Sequence, residues 1–186
     1  PDLIGSSGAV EVDWLIATGT VDDVLAAYAS ALGDHLGRRP RRTMRVWCSW
    51  YSHYEGVTEQ AILDAVDALD GHRIDVVQID DGWEQAIGDW APNDDFPAGM
   101  EKLADVIRAS GRTAGLWLSP FIARSNARLV EERPELLLRD ADGAPVVAGI
   151  NWRGPYYSLD PTSNATQDFV HGLITQARAW GFDYLK

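Results

Sequence analysis

Three helical segments in this sequence each run into a glycine (Gly71, Gly111 and Gly181), and each glycine is followed by an apolar strand-like run. Glycine past a helix end takes the left-handed conformation at little cost and turns the chain into the next element. The first helix opens at Thr58 and carries Ile62, Val66 and Leu69 at helical spacing. The second covers about 100–110, with Leu103, Val106 and Ile107. The third is expected to be capped by Asn164, with Gln167 three residues on, and to bury Phe169, Leu173, Ile174 and Ala177. The strands read as 44–50, 75–80, 113–118 and 182–186. Strands alternating with helices imply parallel βαβ units.

The glycine spacing is 40 residues (71 to 111) and then 70 (111 to 181), so the third unit holds about 30 extra residues. A short helix at 126–132, stopped by Pro134, and a hairpin turning at Ala141-Asp142-Gly143 account for them.

Two architectures accommodate such repeats: an open doubly wound sheet and a closed (β/α)8 barrel. No glycine-rich fingerprint follows any strand. Chemistry-bearing residues instead stand at several successive strand ends, with long loops leaving them, which is the pattern of an α/β TIM barrel. Four units make half of one. Ahead of them, 10–16 alternates like a half-buried strand, and Thr20 caps a helix reaching about residue 36, with Val24, Leu25, Tyr28 and Leu32 on one face. The segment 37–43 is basic, contains Pro40 and reads as a linker, so a domain boundary is expected there, with the βα repeat starting at 44. Pro1-Asp2-Leu3 is no natural start, and 182–186 reads as a strand that stops without a turn. The chain is therefore expected to be a piece of a longer protein.

Composition narrows the function. There are 16 Lys+Arg against 28 Asp+Glu, a net charge of −12, which argues against nucleic acid as a partner. The run Arg38-Arg39-Pro40-Arg41-Arg42 is the exception and reads as a solvated linker cluster. With 46% apolar residues and eight Trp the chain can form a sizeable core. No apolar stretch approaches the ~20 residues of a membrane span. The single Cys48 excludes an intrachain disulfide and a multi-cysteine metal site, and fits a cytoplasmic setting. No cofactor is expected.

The strand ends read Cys48-Ser49-Trp50, Asp80-Asp81-Gly82-Trp83, Trp117-Leu118-Ser119-Pro120 and Leu185-Lys186. Carboxylates accept hydrogen bonds from vicinal hydroxyls, and indole faces pack against the C–H face of a sugar ring, so this rim suits a polyhydroxylated ligand. Adjacent strand residues point opposite ways. For Asp80 and Asp81 both to reach one pocket, the strand must end between them, and Gly82 permits the sharp exit. Capping or loop solvation is the structural alternative for the pair. A metal site is a third, with His53 as nearest ligand, but no ligand spacing joins it to the acids. Trp50, Trp83, Trp90, Trp117 and Trp152 fall at strand ends or in the loops after them. Trp14, Trp47 and Trp180 read as core; Trp90 stands between pocket wall and the core of its own loop.

Arg45-Val46-Trp47-Cys48-Ser49-Trp50, Ile79-Asp80-Asp81-Gly82-Trp83, Gly88-Asp89-Trp90, Phe96-Pro97-Ala98-Gly99-Met100 and Gly115-Leu116-Trp117-Leu118-Ser119-Pro120-Phe121 resemble glycoside hydrolase family 36. So do Glu132-Arg133-Pro134-Glu135, Asn151-Trp152 and Gly181-Phe182-Asp183-Tyr184-Leu185-Lys186. The order and spacing of these motifs carry the resemblance from about residue 10 to the end.

The resemblance implies a retaining α-galactosidase on a (β/α)8 barrel preceded by a β-sandwich domain, with 1–36 as the end of that sandwich and a connecting helix. It implies that Asp80 and Asp81 hold galactose hydroxyls, that Trp117 lines the pocket and that Lys186 binds sugar hydroxyls; Trp50, Trp83 and Trp152, from their places at strand ends and in the loops after them, are expected as further substrate-binding residues. The nucleophile is expected two residues after Lys186, and the acid/base on a later strand, so neither catalytic carboxylate is in this chain. The ligand would be an α-galactoside oligosaccharide of melibiose or raffinose type, and the full-length protein could assemble as a homo-oligomer. Related expectations are an α-N-acetylgalactosaminidase, a raffinose-synthase-type transferase, or a truncated carbohydrate-binding protein.

Overall fold

A computed structural model of the chain describes residues 16–38 and 42–186. The chain forms two units, 1–43 and 44–186. In the first, α1 (Val21–His35) starts at a capping box: Thr20 Oγ1 accepts from Asp23 N, and Asp23 Oδ2 accepts from Thr20 N at 3.2 Å. That arrangement satisfies two of the helix's free donors at once. The strand expected at 10–16, apart from Ile16, and Trp14 lie outside the described residues.

The second unit is built on four parallel strands: β1 (Val46–Cys48), then, after helices α2 (Trp50–His53) and α3 (Glu59–Ala68), β2 (Val76–Ile79). An antiparallel pair, β3 (Glu84–Ala86) and β4 (Asp89–Pro92), precedes α4 (Met100–Ala109) and the third parallel strand, β5 (Thr113–Leu116). The long insertion follows: β6 (Ile122–Arg124), α5 (Arg128–Glu132), β7 (Val147–Asn151) and β8 (Gly154–Ser158). Helix α6 (Asn164–Ala179) returns to the fourth parallel strand, β9 (Tyr184–Leu185). The sheet order is β1-β2-β5-β9, so each helix carries the chain to the neighbouring position.

All four expected parallel strands and the three main helices are present, most of them shorter than expected at their ends. Thr58 caps α3, its hydroxyl accepting from Ala61 N at 3.2 Å. Gly111 and Gly181 follow the C-cap residues Ser110 and Trp180 of α4 and α6, at φ +80° and +99°. The cap of α6 corrects the sequence reading. Ser163 occupies the N-cap position, without a side-chain cap bond, and Asn164 is the first helical residue. The Asp160 carboxylate instead accepts from the Thr162 amide and hydroxyl, a local turn that delivers the chain into the helix.

One sheet face carries Val77, Ile79, Ala114 and Leu116, buried against Ile62 and Val66 of α3, Leu103, Ala104 and Ile107 of α4, and Leu173 and Ala177 of α6. Burying each Val, Ile or Leu side chain among them stabilises by roughly 1.5–3 kcal/mol. Two residues expected on these helical faces, Val106 and Ile174, are exposed. The buried stripe on these helices is narrower than the sequence suggested.

The extra residues of the third unit form a three-stranded antiparallel sheet, β6-β8-β7, with its own core of Ala123, Leu129, Leu136, Leu137 and Leu159. The expected short helix is α5. The turn at Asp142-Gly143 is also present: Asp140 Oδ1 accepts from the amides of Asp142 and Ala144, and Gly143 has φ +83°. The β3–β4 and β7–β8 hairpins were not anticipated. The latter turns through Trp152 and Arg153 at φ +49° and +63°, where Asn-Gly would be usual. Among the described residues no helix is long and apolar enough to cross a membrane.

Candidate active-site rim at the strand ends

The register explains how the rim is assembled. Gln78 pairs with Cys48 on one side and Gly115 on the other, and Gly115 pairs with Tyr184, which makes one level across the sheet. Two residues on, the bonds Trp117 N to Ile79 O (2.8 Å) and Leu118 N to Lys186 O (2.9 Å) keep Asp80, Trp117 and Lys186 level. Side chains two apart share a face. Cys48, Gln78 and Tyr184 therefore underlie Asp80 and Lys186 on the face opposite the helices.

Asp80 is 3% exposed and anchored throughout. Its Oδ2 accepts from Lys186 Nζ at 2.8 Å, from Gln78 Nε2 at 2.5 Å and from Cys48 Sγ at 3.3 Å. Its amide donates to Ser49 Oγ at 2.9 Å. Its Oδ1 accepts no protein hydrogen bond among the described residues, so one carboxylate oxygen is held by the protein and the other is free to accept. Burial pulls the Lys186 ammonium down, but the Asp80 hydrogen bond and charge, with Cys48 and Tyr51, outweigh it and hold the ammonium above its ordinary value. Burial pushes the Cys48 thiol up, and Asp80 adds to that.

Strand β2 ends at Ile79, so both acids lie beyond it, and they diverge. Asp81 Oδ2 accepts from Trp152 Nε1 at 2.6 Å, a bond to the tip of the β7–β8 hairpin. Gly82, at φ +115°, is obligatory: a Cβ there would come within 2.6 Å of the Glu55 carbonyl oxygen. Glu84 is the residue that sequence reasoning missed. It is buried, it hydrogen-bonds the Asp81 carboxylate, and its Oε2 accepts from the Gly82 amide at 3.3 Å. Burial, then the hydrogen bond and charge of Asp81, push its acid up to about 8. At neutral pH Glu84 is therefore a neutral donor toward the Asp81 carboxylate. Its position four residues after Asp80, on a strand too short to show alternation, gave no signal. A cavity of about 220 Å3 opens here, lined by Asp81, Glu84, Asn93, Arg124, Trp152 and Arg153 among others.

The tryptophans separate into two roles. Trp83, expected on the pocket wall, is wholly buried, and its indole N–H donates to the Trp117 carbonyl at 3.0 Å. It is a core residue. The strand end turns inward at Gly82, which drives the next side chain under the sheet. Trp180, Trp83, Trp90 and Trp117 stack at successive centroid distances of 6.0, 6.1 and 5.9 Å, a ladder from the core to the rim. Trp117, Trp50 and Trp152 are half-buried. Trp50 packs edge-on to Tyr54 and Trp152 to Tyr156. Trp47 packs partly buried against the core. Among the described residues no cluster of His, Cys, Asp or Glu suits a metal ion.

Parallel βα units thus bring an anchored acid, an ammonium and indoles together at the strand ends. The Melibiase family profile matches residues 16–186, and the chain belongs to that family. Among characterised relatives, the A type blood α-D-galactosamine galactosaminidase of Flavonifractor plautii is 33% identical over 152 residues, which is 75% of this chain and 14% of that protein. An α-galactosidase of Oryza sativa subsp. japonica is 34% identical over 97 residues, 47% of this chain and 22% of that one. TtGalA, an α-galactosidase from Thermus thermophilus solved in complex with stachyose, is 44% identical over 90% of this chain and 36% of its own, with a TM-score of 0.79. The chain thus spans well under half the length of each of these relatives.

Proposed function

We propose that residues 44–186 are the first four β/α units of a (β/α)8 barrel whose complete form hydrolyses terminal α-galactosides by double displacement. The observation that carries this reading is the split role of the Asp80 carboxylate. Oδ2 is bound by Lys186, Gln78 and Cys48, while Oδ1 is left to accept from a sugar hydroxyl. Solved complexes of the Thermus thermophilus relative with p-nitrophenyl α-D-galactopyranoside and with stachyose support the substrate class.

In this reading Asp80 and Asp81 accept from galactose hydroxyls, Lys186 donates beside them, and Trp117, Trp50 and Trp152 wall the ring. The nucleophile is an Asp two residues beyond Lys186, and the acid/base comes from a later strand. The pair in this chain does not take their places, because Asp80 is held by an ammonium and Asp81 by an indole and a neutral acid. A retaining mechanism needs its two carboxyls ~5 Å apart on opposite faces of the bond. Residues 1–36 would close a preceding β-sandwich domain, and the protein would work in the cytoplasm without a cofactor.

A second reading has its own support. The galactosaminidase from Flavonifractor plautii matches three-quarters of this chain. An α-N-acetylgalactosaminidase would share the Asp80 and Lys186 contacts and differ around the 2-position of the sugar. Competition between p-nitrophenyl α-galactoside and its N-acetylgalactosaminide, on the full-length protein, decides between them. Preference for the galactoside by tenfold or more supports the first reading; the reverse supports the second, and turnover of neither overturns both.

A further inference from the structure

Asp81 is the better exposed to rearrangement of the two rim acids. Asp80 has three donors on one oxygen and its amide on Ser49. Asp81 has the Trp152 indole, reached from a hairpin turn with two side-chain-bearing residues at positive φ, and Glu84. Glu84 is itself immobilised. It is 7% exposed, the Gly82 amide donates to its Oε2, and Asn93 Nδ2 bridges the carbonyls of Gly82 and Glu84 at 2.7 and 3.3 Å.

We propose that Glu84 is a positioning residue for Asp81: its carboxyl donates a hydrogen bond to the Asp81 carboxylate and, with the Trp152 N–H, fixes which edge of Asp81 is presented to the sugar. This rests on the galactosidase reading above and deepens it. Two donors remove the rotation about the Asp81 side chain that would otherwise have to be lost on binding substrate.

The chemistry requires the proton to stay on Glu84. The charged groups that share the cavity with it are Asp81 in the loop after β2, Glu55 before α3, Arg124 on β6 and Arg153 in the β7–β8 turn. Neither arginine hydrogen-bonds Glu84; Arg124 Nε, though buried, has no partner. Asp81 is the group in contact, and it favours the neutral acid, in keeping with the upward shift of Glu84 to about 8. Loss of that proton puts two anions in hydrogen-bond contact, and Asp81 must swing away. Substrate recognition at this rim is thereby shut off by alkali through a residue that never touches the sugar.

The test uses the full-length protein with Glu84→Gln and Glu84→Leu. Glutamine keeps a neutral donor with no proton to lose, and leucine keeps the volume. With p-nitrophenyl α-galactoside, wild type is expected to lose kcat/KM as pH rises through about 8. Glu84→Gln should hold its kcat/KM there, and Glu84→Leu should raise KM about tenfold more than it lowers kcat. Infrared spectroscopy supplies a readout independent of turnover: a protonated-carboxyl band near neutral pH in wild type, lost above about pH 8 and missing in Glu84→Gln. Absence of that band near neutral pH, or the same alkaline limb in Glu84→Gln and wild type, overturns the proposal. If wild type shows the band but hydrolyses no galactoside, the galactosidase reading fails while the Glu84–Asp81 proton assignment stands.

Discussion

Lys186 reaches Asp80 across an intervening strand: Nζ lies 2.8 Å from Oδ2, although β5 separates the strands that carry them. The residue in between, one level below, is Gly115, paired to Gln78 on one side and Tyr184 on the other. A Cβ at Gly115 would lie 3.1 Å from Gln78 Cα and from Tyr184 Cδ1. The missing side chain lets the two flanking rows close over β5, and the ammonium crosses above it.

Gly115→Ala is therefore expected to destabilise by about 1–3 kcal/mol, since overpacking here meets backbone and ring atoms that cannot swing away. It should also weaken the Asp80–Lys186 contact and raise KM for an α-galactoside. Denaturant melts and steady-state kinetics on the full-length protein check both.

Asp80→Asn and Asp81→Asn are each expected to lose galactoside turnover while the protein still folds. At Asp80 an amide must turn its oxygen toward Lys186, Gln78 and Cys48, which leaves an NH2 donor where a sugar hydroxyl requires an acceptor. A hydrogen bond to a charged acceptor contributes roughly 1.5–3 kcal/mol, so ten- to hundredfold losses in kcat/KM follow. If kcat/KM is unchanged and only Tm falls, the pair is structural.

The fold was legible where its signals are local. The helix-ending glycines and Thr58 fixed the βα repeat, and the strand-end motifs brought Asp80 and Lys186 into one rim. What was not legible depends on three-dimensional neighbours. Trp83 reads as a wall residue in sequence, but the turn at Gly82 drives it into the core. Glu84 carries no local signal, because the surfaces that bury it come from separate segments. The β7–β8 turn through Trp152 and Arg153 lacked an Asn-Gly signature, so its link to Asp81 could not be read.

That turn gives a further expectation. Arg153→Gly places a residue suited to positive φ at the second turn position and should raise stability by roughly 1 kcal/mol. Trp152→Phe keeps the ring but removes the N–H donated to Asp81 at 2.6 Å. It should raise KM with little change in Tm. Differential scanning calorimetry with kinetics separates the two effects.

Glu84 also sets a pH dependence of stability. Its folded value of about 8 lies above the ordinary 4.5. The stabilising contribution is complete below about 4.5 and is lost as pH rises toward 8, at up to roughly 1.4 kcal/mol per unit, because the unfolded chain releases the proton first. Glu84→Gln lacks this slope. Urea melts near pH 5 and near pH 8 should show the variant gaining on wild type as pH rises; a constant difference would mean that Glu84 is already ionised near neutrality.

The stereochemistry of hydrolysis by the full-length protein tests the galactose pocket and its double displacement together. Proton NMR of the first turnovers of p-nitrophenyl α-galactoside reads the anomer released before mutarotation. A pocket held by Asp80 and Lys186, with the nucleophile two residues beyond, predicts α-galactose as the first product. Initial release of β-galactose, or no release at all, would contradict it.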